Sequence, residues 1–344
     1  MDFAKSLIGW YQLNKRDLPW RNTKDPYKIW LSEVILQQTR VNQGMAYYYR
    51  FVESFPNVKA LADASEQEVL KLWQGLGYYS RARNLHAASK TISQLGKFPG
   101  THNEILLLKG IGPYTAAAIA SFAFNEKVPV IDGNVYRVLS RYFGVETPID
   151  SSPGKKQFLE IASEMISPDD PATYNQSIME LGALVCKPKS PLCSDCPLAV
   201  SCIARQKDDI DKYPVKGKKT TVKNRFLNYL VINTPNGIIT KERAEKDIWK
   251  GLHDFPTIET LSETETSYIL KDEMLTSLGS PVFVSKSKPY LHQLTHQLLH
   301  VIFWEFSMKS TPKLHNFSLT GLHELGQLPV PRVIEKYLTE KELV

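Results

Sequence analysis

Two carboxylates are the side chains in this sequence whose surroundings most favour catalysis. Glu33 stands among large apolar residues in a run with helical spacing, residues 29–39. A helical glutamate usually faces solvent, whereas a buried one has a raised pKa and can donate a proton. Asp132 follows the short apolar run 128–131, where it can cap the next helix, take part in chemistry, or do both.

All four cysteines of the chain form one cluster with the spacing Cys-x6-Cys-x2-Cys-x5-Cys. Four thiolates in one loop can hold zinc or a four-iron cluster. Only one Cys-x-x-Cys pair is present and the outer spacings are unequal, which favours iron–sulfur; disulfides are the remaining alternative. The expected ligands lie between residues 186 and 202 and are Cys186, Cys193, Cys196 and Cys202.

A helix–hairpin–helix is predicted over residues 101–122. Thr101 begins a Thr-x-x-Glu capping box. Gly110 can end the first helix in a left-handed conformation, and Pro113 suits the first position of the second. The backbone N–H groups at Gly110 and Gly112 would then be free to bind a phosphate. A plain helical hairpin is the alternative interpretation.

A second glycine-rich stretch, residues 75–83, combines glycines with Leu76, two tyrosines and two arginines. Such a loop suits contact with nucleic acid, because apolar and aromatic side chains can enter the base stack and arginine can hold phosphates. The alternative is a loop that packs its tyrosines on the core.

The length of 344 residues favours two domains. We expect a helical domain over residues 1–204, a charged linker over 205–224 and an α+β domain over 225–344. The elements predicted in the last domain are strands at 225–232, 238–240 and within 294–308, and helices at 263–278 and 331–338.

Composition narrows the class of protein. The apolar content of 42% is enough for packed cores, and the net charge of +6 is compatible with binding nucleic acid. No apolar run approaches the length of a membrane span, and the N-terminal residues lack the pattern of a secretory signal. We therefore expect no membrane partner and a cytoplasmic location at the nucleoid.

Together, the hairpin, the acid on the turn after it and the cysteine spacing resemble the helix–hairpin–helix DNA glycosylase superfamily, in its iron–sulfur branch. The run 30–39 is similar to the signature around the catalytic glutamate of adenine-DNA glycosylases of the MutY type. The runs 249–256 and 325–331 resemble parts of the Nudix-related lesion-reading domain of that family. Endonuclease III-like enzymes of this superfamily carry a nucleophilic lysine where this chain has Tyr114.

The resemblance implies an N-terminal all-α glycosylase domain with a [4Fe-4S] cluster and a C-terminal α+β Nudix-like domain. It implies a monofunctional hydrolase that flips adenine out of duplex DNA and cleaves its N-glycosidic bond. Glu33 would protonate N7 of adenine and later help to activate water, and Asp132 would stabilise the sugar cation. Tyr114, Asn134 and Glu180 match positions that support this site. The chain lacks a Glu-rich Nudix hydrolase motif, so no pyrophosphatase activity is expected.

The resemblance also implies a DNA partner and its contacts. The substrate would be duplex DNA with adenine opposite 8-oxoguanine or guanine, bound by a monomer. Leu294 stands where the family's Phe-Ser-His motif has phenylalanine, and the two positions after it fit that motif. The cluster would position the loop between its first two cysteines on DNA. The expected DNA-binding residues are Gln38, Thr39, Leu76, Tyr78, Gly110, Gly112, Thr295 and His296.

Three other functions are compatible with parts of the sequence. A bifunctional lyase acting on damaged pyrimidines shares the hairpin and the cysteines, but Tyr114 argues against it. A DNA-binding protein without catalytic activity would keep the metal loop as a structural element. An iron–sulfur electron carrier would need neither the hairpin nor the second domain.

Overall fold

The chain forms two compact units. The second unit includes a segment of sequence that interrupts the first. A computed structural model describes residues 2–217, 222–243, 247–279, 281–314 and 316–343. One unit comprises Met1–Asp63 and Asn84–Lys219, and the other comprises Ala64–Arg83 and Thr220–Val344. The segment Ala64–Arg83, expected in the helical domain, therefore belongs to the second unit.

Several predicted ranges extend beyond the described residues. Residues 218–221 of the expected linker lie outside them, as do residue 1 of the expected helical domain and residues 244–246, 280, 315 and 344 of the expected α+β domain. Within the parts of the chain that are described, no helix is long and apolar enough to cross a membrane.

The first unit is helical, as the sequence predicts. Its core is built from apolar faces of the first, ninth, tenth and eleventh helices, which meet at Leu7, Val138, Phe158 and Leu181. The helices that begin before residue 207 are α1 Phe3–Asn14, α2 Pro26–Leu36, α3 Val41–Ser54, α4 Val58–Asp63, α5 Glu66–Trp73, α6 Ser80–Leu95, α7 His102–Leu106, α8 Pro113–Phe124, α9 Gly133–Phe143, α10 Ser152–Met165, α11 Pro171–Leu184 and α12 Ile203–Gln206. Of these, α5 and the first turn of α6 lie in the second unit.

The second unit is an α+β fold around an eight-stranded mixed sheet. Its central strands β1 and β7 run parallel, with Leu227 opposite Val301. Parallel neighbours need a long connection between them. The elements are β1 Lys223–Thr234, β2 Gly237–Glu242, β3 His253–Asp254, β4 Thr257–Thr260, α13 Thr266–Leu270, α14 Glu273–Ser277, β5 Val282–Lys286, β6 Tyr290–Gln293, β7 Gln297–Ser307, β8 Ser318–Thr320, α15 Leu322–Leu325 and α16 Arg332–Glu340.

Both faces of this sheet are covered, because β1 is buried without interruption from Leu227 to Ile232. On one face α16 packs Tyr337 against Phe303, with ring centroids 3.9 Å apart. On the other face α13 and α14 cover Trp304. The fold class predicted for the two domains is confirmed.

Two local predictions in this unit were wrong in detail. The single helix expected over 263–278 is two short helices, because Asp272 accepts a hydrogen bond from the backbone N–H of Met274 and begins α14 as a new helix. The strand region 294–308 begins with a turn, since Leu294–His296 connects β6 to β7. Leu294 packs against the core of the sheet.

Candidate active site

Helix α2 carries Glu33 into the interior of the first unit. Asp25 caps the helix by accepting a hydrogen bond from the backbone N–H of Tyr27, and Pro26 occupies its first turn. The helix is buried on most of its surface, and Glu33 is only 7% exposed. The solvent-facing alternative for this glutamate is therefore wrong.

Tyr114 holds the Glu33 carboxyl from the second helix of the hairpin. Its hydroxyl donates a hydrogen bond of 2.7 Å to Glu33 Oε2. Burial raises the pKa of Glu33 to about 7, the Tyr114 hydrogen bond opposes that rise, and the nearby charge of Asp132 adds to it. The pKa of Tyr114 is itself raised well above 10, chiefly by burial, so its hydroxyl keeps the proton that it donates.

Asp132 is the N-cap of α9, and its carboxylate is held at both oxygens. Oδ1 accepts a 2.8 Å hydrogen bond from the backbone N–H of Val135, and Oδ2 accepts one of 2.7 Å from the Asn134 amide. Burial raises the pKa of Asp132, and these two hydrogen bonds counteract the rise. The carboxylate is thus a helix cap and also faces the same cavity as Glu33.

The cavity has a volume of about 400 Å³ and gathers the predicted catalytic residues. Glu180, buried in its wall, accepts hydrogen bonds from the guanidinium groups of Arg16 and Arg21 at 2.6–2.9 Å. Burial raises the pKa of Glu180, but the two arginines more than offset it and bring that pKa to about 2. The lining residues that the sequence analysis named are Glu33, Gln38, Thr39, Tyr114, Asp132, Asn134 and Glu180.

Arg16 and Arg21 also line this cavity, although the sequence patterns did not identify them as site residues. They flank Pro19 and Trp20 in the polar stretch before α2. Their carboxylate partner, Glu180, lies about 160 positions later in the chain and gives no local signal. The only local signal for a site was the pair of arginines on either side of an apolar turn.

The hairpin has the geometry that the phosphate hypothesis needs. Gly110 has φ +78°, and a Cβ there would collide with the side chain of Asn84. Gly112 is the N-cap of α8, has open space around it, and caps the helix with no side-chain hydrogen bond. The exposed N–H groups at the start of α8 are therefore available to an anion.

The remaining predicted DNA contacts lie in the second unit. Tyr78 is 46% exposed and its hydroxyl is hydrogen-bonded to that of Thr295. His296 is also exposed, next to Thr295 in the turn between β6 and β7. Leu76 is only 8% exposed, so its side chain packs into the protein, unlike the neighbouring Tyr78.

The four cysteine thiols are free and line one apolar cavity. Arg141 donates a hydrogen bond from Nη1 to Cys186 Sγ at 3.4 Å, and Arg137 donates from Nε to the Cys186 carbonyl at 2.7 Å. In the described residues, no group of three or more His, Cys, Asp or Glu side chains is arranged around a single ion. Four free thiols that line one cavity, with the Arg141 guanidinium beside Cys186, could hold a metal centre.

Arg137 also joins this loop to the active site. Its Nη2 donates hydrogen bonds to Asn134 Oδ1 at 2.7 Å and to the Gly182 carbonyl at 2.8 Å. Asn134 in turn donates to Asp132. A continuous hydrogen-bonded path therefore connects the Cys186 backbone with the Asp132 carboxylate.

Comparisons with known proteins agree with this arrangement. Residues 31–168 match the family model described as HhH-GPD superfamily base excision DNA repair protein, and residues 228–340 match that of the NUDIX domain. A solved thermostable thymine-DNA glycosylase is 27% identical, with a TM-score of 0.56 over 60% of this chain and 95% of that chain. A non-covalent endonuclease III–DNA complex shares the fold at 21% identity, with a TM-score of 0.50, over 59% of this chain and 95% of that one. Fold and cavity thus define a DNA glycosylase of the helix–hairpin–helix class, an enzyme of base excision repair.

Named relatives narrow the class further. The adenine DNA glycosylase of Buchnera aphidicola subsp. Schizaphis graminum is 34% identical over 98% of this chain and 97% of its own length. The human adenine DNA glycosylase is 42% identical over 62% of this chain and 41% of its own length. The chain belongs to the adenine DNA glycosylase family and is a hydrolytic glycosylase. The predicted family and enzyme class are thereby confirmed.

Proposed function

We propose that this enzyme removes adenine paired with 8-oxoguanine or guanine in duplex DNA, by acid-assisted hydrolysis of the N-glycosidic bond. The observation that carries the proposal is the meeting of Glu33, Tyr114 and Asp132 in one cavity of about 400 Å³. That volume lies within the range of small-ligand pockets. A purine reaches it only after rotating out of the base stack.

Glu33 is the general acid. With a pKa of about 7, a large fraction of its side chains is protonated at neutral pH. Because the Tyr114 hydroxyl donates to Oε2, the proton resides on Oε1, from which it passes to N7 of the flipped adenine. Protonated adenine is a better leaving group. The resulting carboxylate then accepts a proton from the attacking water.

Asp132 stabilises the positive charge that grows on the sugar as the bond breaks. The Val135 N–H and the Asn134 amide fix both of its oxygens, so the charge is already oriented before reaction. Tyr114 takes the hairpin position where a lyase has its nucleophilic lysine. The enzyme therefore leaves an abasic site and an uncut strand.

DNA binding is divided between the two units. The exposed N–H groups at Gly110 and Gly112 hold a phosphate, and Gln38 and Thr39 at the cavity contact the opposite base. In the second unit, an exposed set of side chains reads 8-oxoguanine. That set consists of Tyr78, Thr295 and His296. Leu76 is buried in this structure and would have to become exposed to contact DNA.

Cys186, Cys193, Cys196 and Cys202 would hold a [4Fe-4S] cluster. When bound, such a cluster would cross-link the four cysteines and order the loop between Cys186 and Cys193 for contact with DNA. The residues around it support this role, because Arg137 and Arg141 place positive charge beside Cys186. We expect the enzyme to act on chromosomal DNA as a monomer.

Duplexes that carry adenine opposite 8-oxoguanine, guanine or thymine test the proposal. The enzyme is incubated with each duplex, and one half of every sample is then treated with alkali to cleave abasic sites. We expect cleavage of the adenine strand only after alkali, fastest opposite 8-oxoguanine and absent opposite thymine. Equal rates on all three duplexes, or an uncut adenine strand opposite 8-oxoguanine, would refute the mispair assignment.

A further inference from the structure

Two motifs of the second domain have no role in the site described so far, namely residues 249–256 and 325–331. Both contact the segment Ala64–Arg83, which belongs to the same unit. That segment contains α5 and the glycine-rich turn that presents Tyr78.

Residues 326–330, here named the strap, connect α15 to α16. Several backbone carbonyls of the strap accept hydrogen bonds from other segments of the unit. Lys71 Nζ donates hydrogen bonds to the carbonyls of Gly326 at 2.6 Å and Leu328 at 3.2 Å. The Pro329 carbonyl accepts from the backbone N–H of His253 at 2.8 Å, which ties the strap to β3. Prolines at 329 and 331 lack N–H donors, so the strap cannot join a strand ladder and its carbonyls need these partners.

Tyr79 connects the strap to the glycine-rich turn by hydrogen bonds of its hydroxyl. Its side chain is 4% exposed, and its hydroxyl donates to the Val330 carbonyl at 3.3 Å while accepting from the Gly75 N–H at 3.4 Å. The other motif contributes as well, because Arg83 donates from its guanidinium to the Lys250 carbonyl. The helix before the turn and the residues after it are thus attached to the two motifs.

The turn between these attachments has an unfavourable backbone. Gly75, Gly77 and Tyr78 all have positive φ, at 95°, 71° and 47°. A non-glycine residue in that region is strained and persists only where its surroundings hold it. With this backbone, Tyr78 forms its hydroxyl–hydroxyl hydrogen bond with Thr295 in the turn between β6 and β7.

We propose that Lys71 and Tyr79 are positioning residues, which attach the Tyr78 turn to the strap so that Tyr78 and Thr295 form one lesion-reading surface. The inference rests on the proposed function for its effect on 8-oxoguanine, but the attachment itself can be measured without DNA. Loss of the Lys71 ammonium releases two strap carbonyls and allows the strained turn to relax. Tyr78 then leaves Thr295, while Glu33 and Asp132 in the other unit are untouched.

The test uses Lys71→Met in the 344-residue chain, a change that removes the donor and keeps an apolar stem of similar length. Lys90→Met, at an exposed lysine of α6, is the matched control. Hydrogen–deuterium exchange without DNA should rise at residues 74–80 in Lys71→Met alone. In Lys71→Met, the single-turnover excision rate on the guanine duplex should be unchanged. The ratio of the rate on the 8-oxoguanine duplex to that on the guanine duplex should fall about tenfold, the equivalent of about 1.4 kcal/mol. Tyr79→Phe should shift both readouts in the same direction by a smaller amount.

Each contrary result would contradict a different part of the proposal. Unchanged exchange at residues 74–80 in Lys71→Met overturns the attachment. Exchange that rises throughout β1 and β7 means that Lys71 supports the fold of the whole unit, which also overturns its positioning role. Faster exchange in the turn with an unaltered rate ratio overturns the link to lesion reading. A wild-type enzyme without activity on the 8-oxoguanine duplex would instead contradict the proposed function, and the exchange result would still decide the attachment.

Discussion

Replacing Glu33 by glutamine should make the enzyme inactive and, above neutral pH, more stable. Glutamine has nearly the same shape and retains an oxygen that can accept the Tyr114 hydrogen bond, so the geometry is preserved. Glutamine has no acidic proton that it could transfer to adenine. Positioned acids contribute about 10²–10⁴ in rate, and we expect the single-turnover excision rate to fall by about that factor.

The gain in stability follows from the pKa of Glu33, which is about 7 in the folded chain against an ordinary value of 4.5. Between these values the folded state retains a proton that the unfolded state has released, so the free energy of unfolding falls as pH rises through this window. One pKa unit is worth about 1.36 kcal/mol, so the buried carboxylate costs about 3 kcal/mol above pH 7. Glu33→Gln removes that cost.

Urea unfolding of wild type and Glu33→Gln at pH 5 and pH 8 measures the effect, with the exposed Glu164→Gln as control. We expect the variant to exceed wild type by about 3 kcal/mol at pH 8 and by much less at pH 5. Excision by wild type should slow as pH rises through 7. A variant no more stable than wild type at pH 8, or one with an excision rate within tenfold of wild type, would refute the role of a buried acid.

Three further changes test other parts of the site. Asp132→Asn keeps a good N-cap for α9 but loses the charge, so excision should slow by about 10²–10³ with a denaturation midpoint no lower than that of wild type; a midpoint that falls instead would show that the charge serves the fold. Glu180→Gln leaves Arg16 and Arg21 without their carboxylate, and urea unfolding should register a loss of about 3 kcal/mol. Cys193→Ser should lower the iron content and visible absorption of the purified protein and weaken its DNA binding in a titration; full iron retention would contradict the ligand assignment.

Features determined by neighbouring residues were predictable from the sequence. The capping box at Thr101, the left-handed Gly110 and the first-turn Pro113 all act within a few residues, and the hairpin helices begin and end close to the predicted bounds. The Asp132 cap is of the same kind. Even the break between α13 and α14 had a local signal in Asp272, which the prediction of one long helix overlooked.

Features that depend on distant partners were not predictable from one sequence. The ion pairs of Glu180 join residues about 160 positions apart. The parallel pairing of β1 with β7 joins strands separated by more than 60 residues. The segment Ala64–Arg83 of the second unit contacts backbone carbonyls of the strap, and backbone carbonyls leave no trace in residue type. The resemblance to a family supplied candidate residues, and the structure supplied their contacts.

The central claim is that adenine leaves by acid-assisted hydrolysis with no lysine adduct. Its most direct test is to identify the products from a duplex with adenine opposite 8-oxoguanine, by mass spectrometry, with borohydride added to trap any covalent enzyme–DNA complex. We predict free adenine, an intact strand with an abasic site, and no full-strength lysine-dependent adduct, all abolished by Glu33→Gln. A trapped lysine adduct, or release of an oxidised pyrimidine in place of adenine, would contradict the claim.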